Sequence, residues 1–197
     1  MDYCSAVADY REVFQAVEML RKREGSCIVA IDGMCGSGKS FLADLLAKTF
    51  DSNVFHMDDY FLPPEMRTKE RLAKPGGNVH YERFQKEILE AIIRRETVVY
   101  RPYLCGLQRY GEERKAEPKE LTIIEGAYCL HPKLREYYSL KIFLSVDDHV
   151  QLERIVCRNG EEKLEQFVSK WIPLENLYFD KLGIKDLCDI VVDTTDF

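Results

Sequence analysis

The sequence has no apolar run near the ~18 residues that a bilayer-crossing helix needs, and its longest apolar runs are only a few residues. No membrane association is therefore expected. The first residues, MDYCSAVADYREVF, carry acids and no apolar core segment, so no secretory leader is expected and the expected location is the cytoplasm. Metal-type cysteine pairs are missing too. Cys4, Cys27, Cys35, Cys105, Cys129, Cys157 and Cys188 make seven, an odd number with no Cys-x-x-Cys spacing, which fits reduced cysteines used as small apolar residues. Basic charge is in deficit, with 28 Lys+Arg against 34 Asp+Glu and a net charge of −6. Such a chain has no general electrostatic basis for holding nucleic acid, so any anion it binds must sit in a local site. Low-complexity tracts and internal repeats are absent.

What is present is the composition of a folded globular chain: 197 residues, 46% hydrophobic and 31% charged. The length predicts one domain over residues 1–197, an N-terminal helix over 1–25 followed by a core over 26–197. Val7, Tyr10, Val13, Phe14, Val17 and Leu20 share one helical face, predicting an amphipathic helix over residues 6–22 that ends at Gly25. Strands are predicted at 27–31, 53–57, 98–100, 121–124, 140–146 and 190–192, with helices at 40–50, 81–95, 148–158 and 162–182, the last bent before Pro173. Asp147 or Asp148 caps the third of these helices and Asn159-Gly160 stops it. Residues 62–78 hold Pro63, Pro64, Pro75, Gly76 and Gly77 and read as a long irregular connection, and 101–119 as a polar loop. Apolar strands alternating with helices point to an α/β fold with a parallel sheet.

The strand at 27–31 runs into Gly33-Met-Cys-Gly-Ser-Gly-Lys-Ser40, which fits G-x-x-x-x-G-K-[ST]. Gly33, Gly36 and Gly38 let the chain curl so that successive N–H groups, that of Ser37 included, converge on phosphate oxygens. The helix behind adds its positive end, Lys39 brings a point charge to the β- and γ-phosphates, and the Ser40 hydroxyl can ligate Mg²⁺. This pattern predicts a P-loop fold binding a nucleoside triphosphate, with ATP and Mg²⁺ as the expected cofactors. The strand at 53–57 leads into His56-Met-Asp-Asp-Tyr-Phe-Leu-Pro63, where a carboxylate can activate an acceptor hydroxyl. Asp58 and Asp59 point opposite ways if strand geometry persists, so one of them is expected to face the site; the alternative is a solvated strand exit with a turn-forming Asp. Glu125-Gly126 follows the strand at 121–124, and an acid there can accept from Mg²⁺-bound water or simply cap a loop. Arg154 and Arg158 are four apart on one helix face, aimed either at a transferring phosphoryl group or at Glu153, Glu161 and water.

Together these residues resemble the uridine kinase and phosphoribulokinase family of P-loop small-molecule kinases. The resemblance runs from about Ser26 onward, with GMCGSGKS, HMDDYFLP, GGNVHYERF, the RPY at 101–103, IIEGAY and LERIVCRNG in the family's order. It implies a parallel sheet of about five strands flanked by helices, and a mobile lid carrying arginines. It also implies Asp58 as catalytic base, Glu125 as the acid near the metal, and Arg154 and Arg158 as the lid arginines. The acceptor pocket is expected between the Asp58 strand exit, residues 75–84 and the loop 103–109, with His80, Tyr81, Tyr103, Gln108 and Arg109 as substrate contacts. Two positions depart from the family. His80 stands where uridine kinases have an Asp that grips ribose hydroxyls, and Gln108 stands where they have a His, a little after the aromatic matched by Tyr103. Uridine is therefore expected to be handled poorly.

The resulting expectation is an ATP-dependent kinase of a hydroxyl on a small metabolite, a nucleoside first. Alternatives are a kinase of a non-nucleoside alcohol and a nucleotide-binding regulator that kept the fold. A GTPase-like switch is disfavoured because no Asn-Lys-x-Asp or Thr-Lys-x-Asp guanine signature occurs. The expected partner is a small-molecule acceptor, and a homo-oligomer is left open.

Overall fold

The computed structural model describes Val7 and residues 9–197. Residues 6 and 8 of the expected first helix, and Cys4, lie outside the described residues. Helix α1 spans Arg11–Glu24 and buries Val13, Phe14, Val17 and Leu20, as the spacing predicts, before Gly25 turns the chain at φ 72. Then follow β1 (Cys27–Gly33), α2 (Lys39–Thr49), β2 (Ser52–His56) and α3, a helical stretch over residues 81–93 with a π turn at Gln85–Leu89. After these come β3 (Leu121–Glu125), β4 (Leu140–Ser145), α4 (Asp148–Asn159), α5 over residues 161–182, and β5 (Ile190–Asp193).

The five strands form one parallel sheet in the order β2-β3-β1-β4-β5. Helices cover both faces, which is why β1 and β3 are buried along their whole length and read as continuous apolar runs. Along β1 the side chains alternate. Val29 and Ile31 pack with Phe14, Val17, Leu42 and Leu46 of α1 and α2, while Ile28 and Ala30 pack with Phe84 and Ile88 of α3 and Tyr178 of α5. Because β1 is flanked by β3 and β4, connections diverge at its carboxyl end and leave a crevice there. Among the described residues no helix is long and apolar enough to cross a membrane.

Residues 98–116 differ from expectation. Val98–Tyr100 is a strand, but it pairs antiparallel with Arg114–Ala116 outside the main sheet, and Tyr103–Leu104 pairs with Arg109–Tyr110 in a second small antiparallel ladder, also outside it. The polar loop expected there is thus a hairpin arrangement. Its return strands are too short and too exposed to show an apolar alternation. In α5 the expected bend is a π turn at Phe167–Trp171, just before Pro173, where proline removes one helical N–H and its ring crowds the preceding turn.

The connection over 62–78 is less irregular than its Pro and Gly content suggests. It holds a helical turn at Lys69–Leu72, capped where Thr68 Oγ1 accepts from Arg71 N. The Arg71 guanidinium then donates to the carbonyls of Gly77 and Val79, to Tyr81 Oη and to both carboxylate oxygens of Glu82. One side chain thus ties the connection to the start of α3. Arg71→Ala is expected to lower the unfolding free energy by about 2–4 kcal/mol, read from denaturant midpoints.

Tyr81 stacks on His131 at 3.8 Å between centroids, and burial pushes the His131 pKa down to about 4. His131 is therefore neutral in the folded protein, while the unfolded chain takes up the proton near 6.5. Stability is expected to hold above pH 6.5 and to fall between there and about pH 4, by up to about 3 kcal/mol. His131→Asn should flatten that part of the denaturation profile.

Candidate active site

The site is built where β1 ends. At Gly33 the chain adopts φ 141, and a Cβ there would meet the Leu144 carbonyl oxygen at 2.1 Å, so only glycine lets β1 pass β4 into the loop. Gly38, at φ 88 and ψ 19, turns the loop into the N-terminus of α2. The back of the loop is held by neighbours. Thr194 Oγ1 donates to Ser37 O, and Arg154 donates to Gly36 O, Thr194 Oγ1, Thr194 O and Phe197 O. Asp32, fully buried in β1, accepts from the N–H groups of Gly33 and Leu130 and from Tyr178 Oη at 2.7, 3.0 and 2.8 Å. It fastens the loop to the β3 exit and to α5.

Lys39 is half-buried, and its ammonium donates to the carbonyls of Gly33 and Met34 at 2.9 and 2.8 Å. Ser40 Oγ donates to Glu125 Oε2 at 3.2 Å. The other Glu125 oxygen meets His56 Nδ1 at 2.5 Å, because β2 and β3 run in register with His56 opposite Glu125. That hydrogen bond raises the His56 pKa more than desolvation lowers it.

The two aspartates do not continue as a strand. They lie on a tight helical turn, Met57–Tyr60, and separate by a different route from the expected alternation. Asp58 lines the central cleft, whereas Asp59 faces Arg114 at 3.4 Å. Asp58 is open to the cleft but surrounded by protein. Desolvation, then the charge of Glu125, pushes its pKa up, with Lys39, His56 and Arg158 opposing.

The cleft encloses about 660 Å³. Lys39, Ser40, Asp58, Glu125, Arg154 and Arg158 all line it, together with Gly36 and Gly38. Gly33 and Ser37 shape the loop from behind. The two arginines share a helix face but not a situation. Arg154 is fixed to backbone carbonyls, while the exposed Arg158 bonds, among the described residues, sideways to Asn159 Oδ1.

The expected acceptor contacts are placed elsewhere. His80 is the N-cap of α3, its Nδ1 accepting from Arg83 N, and Tyr81 is stacked between Arg71 and His131. Tyr103 is buried against Tyr110 in the hairpin, and Gln108 is exposed at its turn with φ 48, next to exposed Arg109. None of these five side chains lines the cleft. Of the loop over 103–109, Cys105 does. His80 thus serves in helix capping and Gln108 in turn formation.

Sequence reasoning passed over Phe61, Phe167, Trp171 and Glu175, which wall the cleft. The three on α5 lie at intervals of four residues, a spacing that the expected break before Pro173 concealed. His56 and Asp32 were missed as well. Their signal was polar side chains at the carboxyl ends of apolar strands.

A parallel sheet ordered β2-β3-β1-β4-β5, with a phosphate loop between β1 and α2, defines a P-loop fold of the kinase type. The solved structure of a possible uridine kinase from Bacillus stearothermophilus shares it with a TM-score of 0.61 over 92% of this chain and 100% of that one, at 18% identity. A provisionally assigned fructose transport system kinase from Silicibacter sp. TM1040 shares it with a TM-score of 0.66 over 97% and 98% of the two chains, at 20% identity. No family model matches the chain. Its sequence is similar to uridine kinases: 25% identical over 180 residues to one from Clostridium perfringens (83% of this chain, 85% of that one), and 26% over 195 residues to one from Ligilactobacillus salivarius (88% of each). The resemblance to uridine kinases extends over most of the chain.

Proposed function

We propose that the protein is an ATP-dependent kinase that transfers the γ-phosphoryl group to a hydroxyl of a small metabolite, a nucleoside or a similar sugar-bearing alcohol. One observation carries this reading: the phosphate loop with Lys39 and the carboxylate of Asp58 open into the same cleft. The loop amides and Lys39 hold the triphosphate. Asp58 accepts the acceptor's hydroxyl proton as the new O–P bond forms and the bond to the β-phosphate oxygen breaks, releasing ADP. Arg158 has the freedom to turn onto the transferring group, while Arg154 keeps the loop in shape; both offset developing negative charge. Ser40 Oγ and Glu125, oxygen donors 3.2 Å apart beside the loop, suit Mg²⁺, which prefers few protein ligands and completes its shell with phosphates and water. Held by these two residues with the nucleotide, Mg²⁺ would offset phosphate charge.

The pH dependence tests the role of Asp58. A base must be ionised, and the Asp58 pKa lies above its ordinary value of 3.8. kcat/KM is expected to fall with decreasing pH along a limb centred above 3.8, and that limb should be lost from the residual activity of Asp58→Asn. An unshifted limb in the variant would remove Asp58 from the role.

A further inference from the structure

The wall of the cleft supplied by α5 has no part in the chemistry above, yet it is the most specific surface in the site. Phe167, Trp171 and Glu175 stand at intervals of four residues and all line the cleft. Phe61, three residues beyond Asp58, packs on Trp171 with ring centroids 6.0 Å apart, so the aromatic wall adjoins the proposed base. The exposed Lys170 ammonium lies 4.7 Å from the Trp171 ring centroid. Glu175 is 8% exposed, and its Oε2 accepts from the N–H of Cys35 in the phosphate loop at 2.8 Å. That bond holds the carboxylate against the phosphate loop, while the side chain lines the cleft.

A buried carboxylate needs donors, since an unsatisfied one costs far more than a neutral polar group. Desolvation raises the Glu175 pKa, with the Lys39 charge and hydrogen bonds from the Cys35 amide and thiol opposing, and the side chain lines the cleft within reach of a ligand donor. An apolar aromatic wall with a polar group one helical turn further on matches a ligand with a flat apolar ring and a donor beyond it. One turn is about 5–6 Å.

Resting on the kinase reading, we propose that α5 selects the acceptor: its planar ring lies against Phe61, Phe167 and Trp171, and a hydroxyl or amino group about 6 Å away donates to Glu175. Ring-free polyols lack the first feature and are excluded. Glu175 is here a specificity-determining residue, and its bond to the Cys35 amide sets the acceptor in register with the phosphate loop.

Trp171 is the only tryptophan of the chain, so its fluorescence reports this wall without any need for turnover. The titration uses uridine, cytidine, adenosine and guanosine against ribose and glycerol, with a saturating non-hydrolysable ATP analogue present. At least one nucleoside is expected to give a saturable change, and ribose and glycerol none. Glu175→Gln keeps an acceptor for the Cys35 amide but replaces the other oxygen by a donor. It should weaken that nucleoside at least tenfold and leave the affinity of the ATP analogue within twofold. Phe167→Ala, at a partly exposed helix position, should weaken the nucleoside similarly and serves should Glu175→Gln fail to fold. The proposal is overturned by a panel in which no nucleoside perturbs Trp171, by ribose or glycerol binding equally well, or by unchanged nucleoside affinity in the folded variants. Nucleoside binding of the expected kind with no ADP release from ATP itself would instead count against the kinase reading and leave this one standing.

Discussion

Lys39→Ala is expected to reduce acceptor-stimulated ADP release about 10³-fold or more, with the fold retained. The ammonium sits at the mouth of the phosphate loop, where among the described residues it bonds to the carbonyls of Gly33 and Met34. Losing them costs about 1–2 kcal/mol of stability, too little to unfold a domain of this size. What disappears is the positive charge facing the β- and γ-phosphates, and with it the offset for charge that moves during transfer. Turnover and thermal melting measured on the same preparation separate the two effects. Unchanged turnover in a folded Lys39→Ala protein would contradict phosphoryl transfer at this loop.

The second large effect is expected at Asp58. Asp58→Asn keeps the size and the hydrogen-bonding reach of the side chain but cannot take a proton, so kcat should fall about 10²–10⁴-fold with the ATP affinity little changed. Asp59→Asn breaks only an exposed ion pair with Arg114 and should leave kcat within about threefold and stability within about 1 kcal/mol. The turn at Met57–Tyr60 makes this ranking a sharp test, because neighbouring aspartates on it face the central cleft and a surface arginine. A reversed ranking would exchange their roles.

The sheet was legible because buried parallel strands announce themselves. CIVAI, LTII and LKIFLSV are apolar through and through, and the observed β1, β3 and β4 fall on them within a residue or two. The phosphate loop was legible for a different reason: its glycines answer to local backbone geometry, which needs no distant partner. The far wall of the cleft was not. It is assembled from Phe61, which follows β2, and from Trp171 and Glu175, more than a hundred residues later, and nothing local marks them as neighbours. His80 is the converse case. Aligned by position in a motif, it invited a role as a ligand, while the structure gives it the commonest task of a side chain before a helix, accepting a free N–H. The pairing of residues 98–100 with 114–116 escaped notice because such short, half-exposed strands carry too little pattern to read.

Direct detection of the product is the most decisive measurement. The protein, ATP, Mg²⁺ and a panel of nucleosides and ring-bearing alcohols are incubated together, and phosphorus NMR follows the γ-phosphoryl group. The expected result is a new phosphomonoester signal that grows in step with ADP, depends on one class of acceptor, and is missing with Lys39→Ala. Release of free inorganic phosphate alone, unaffected by any acceptor, would contradict the assignment of this cleft to phosphoryl transfer between two small molecules.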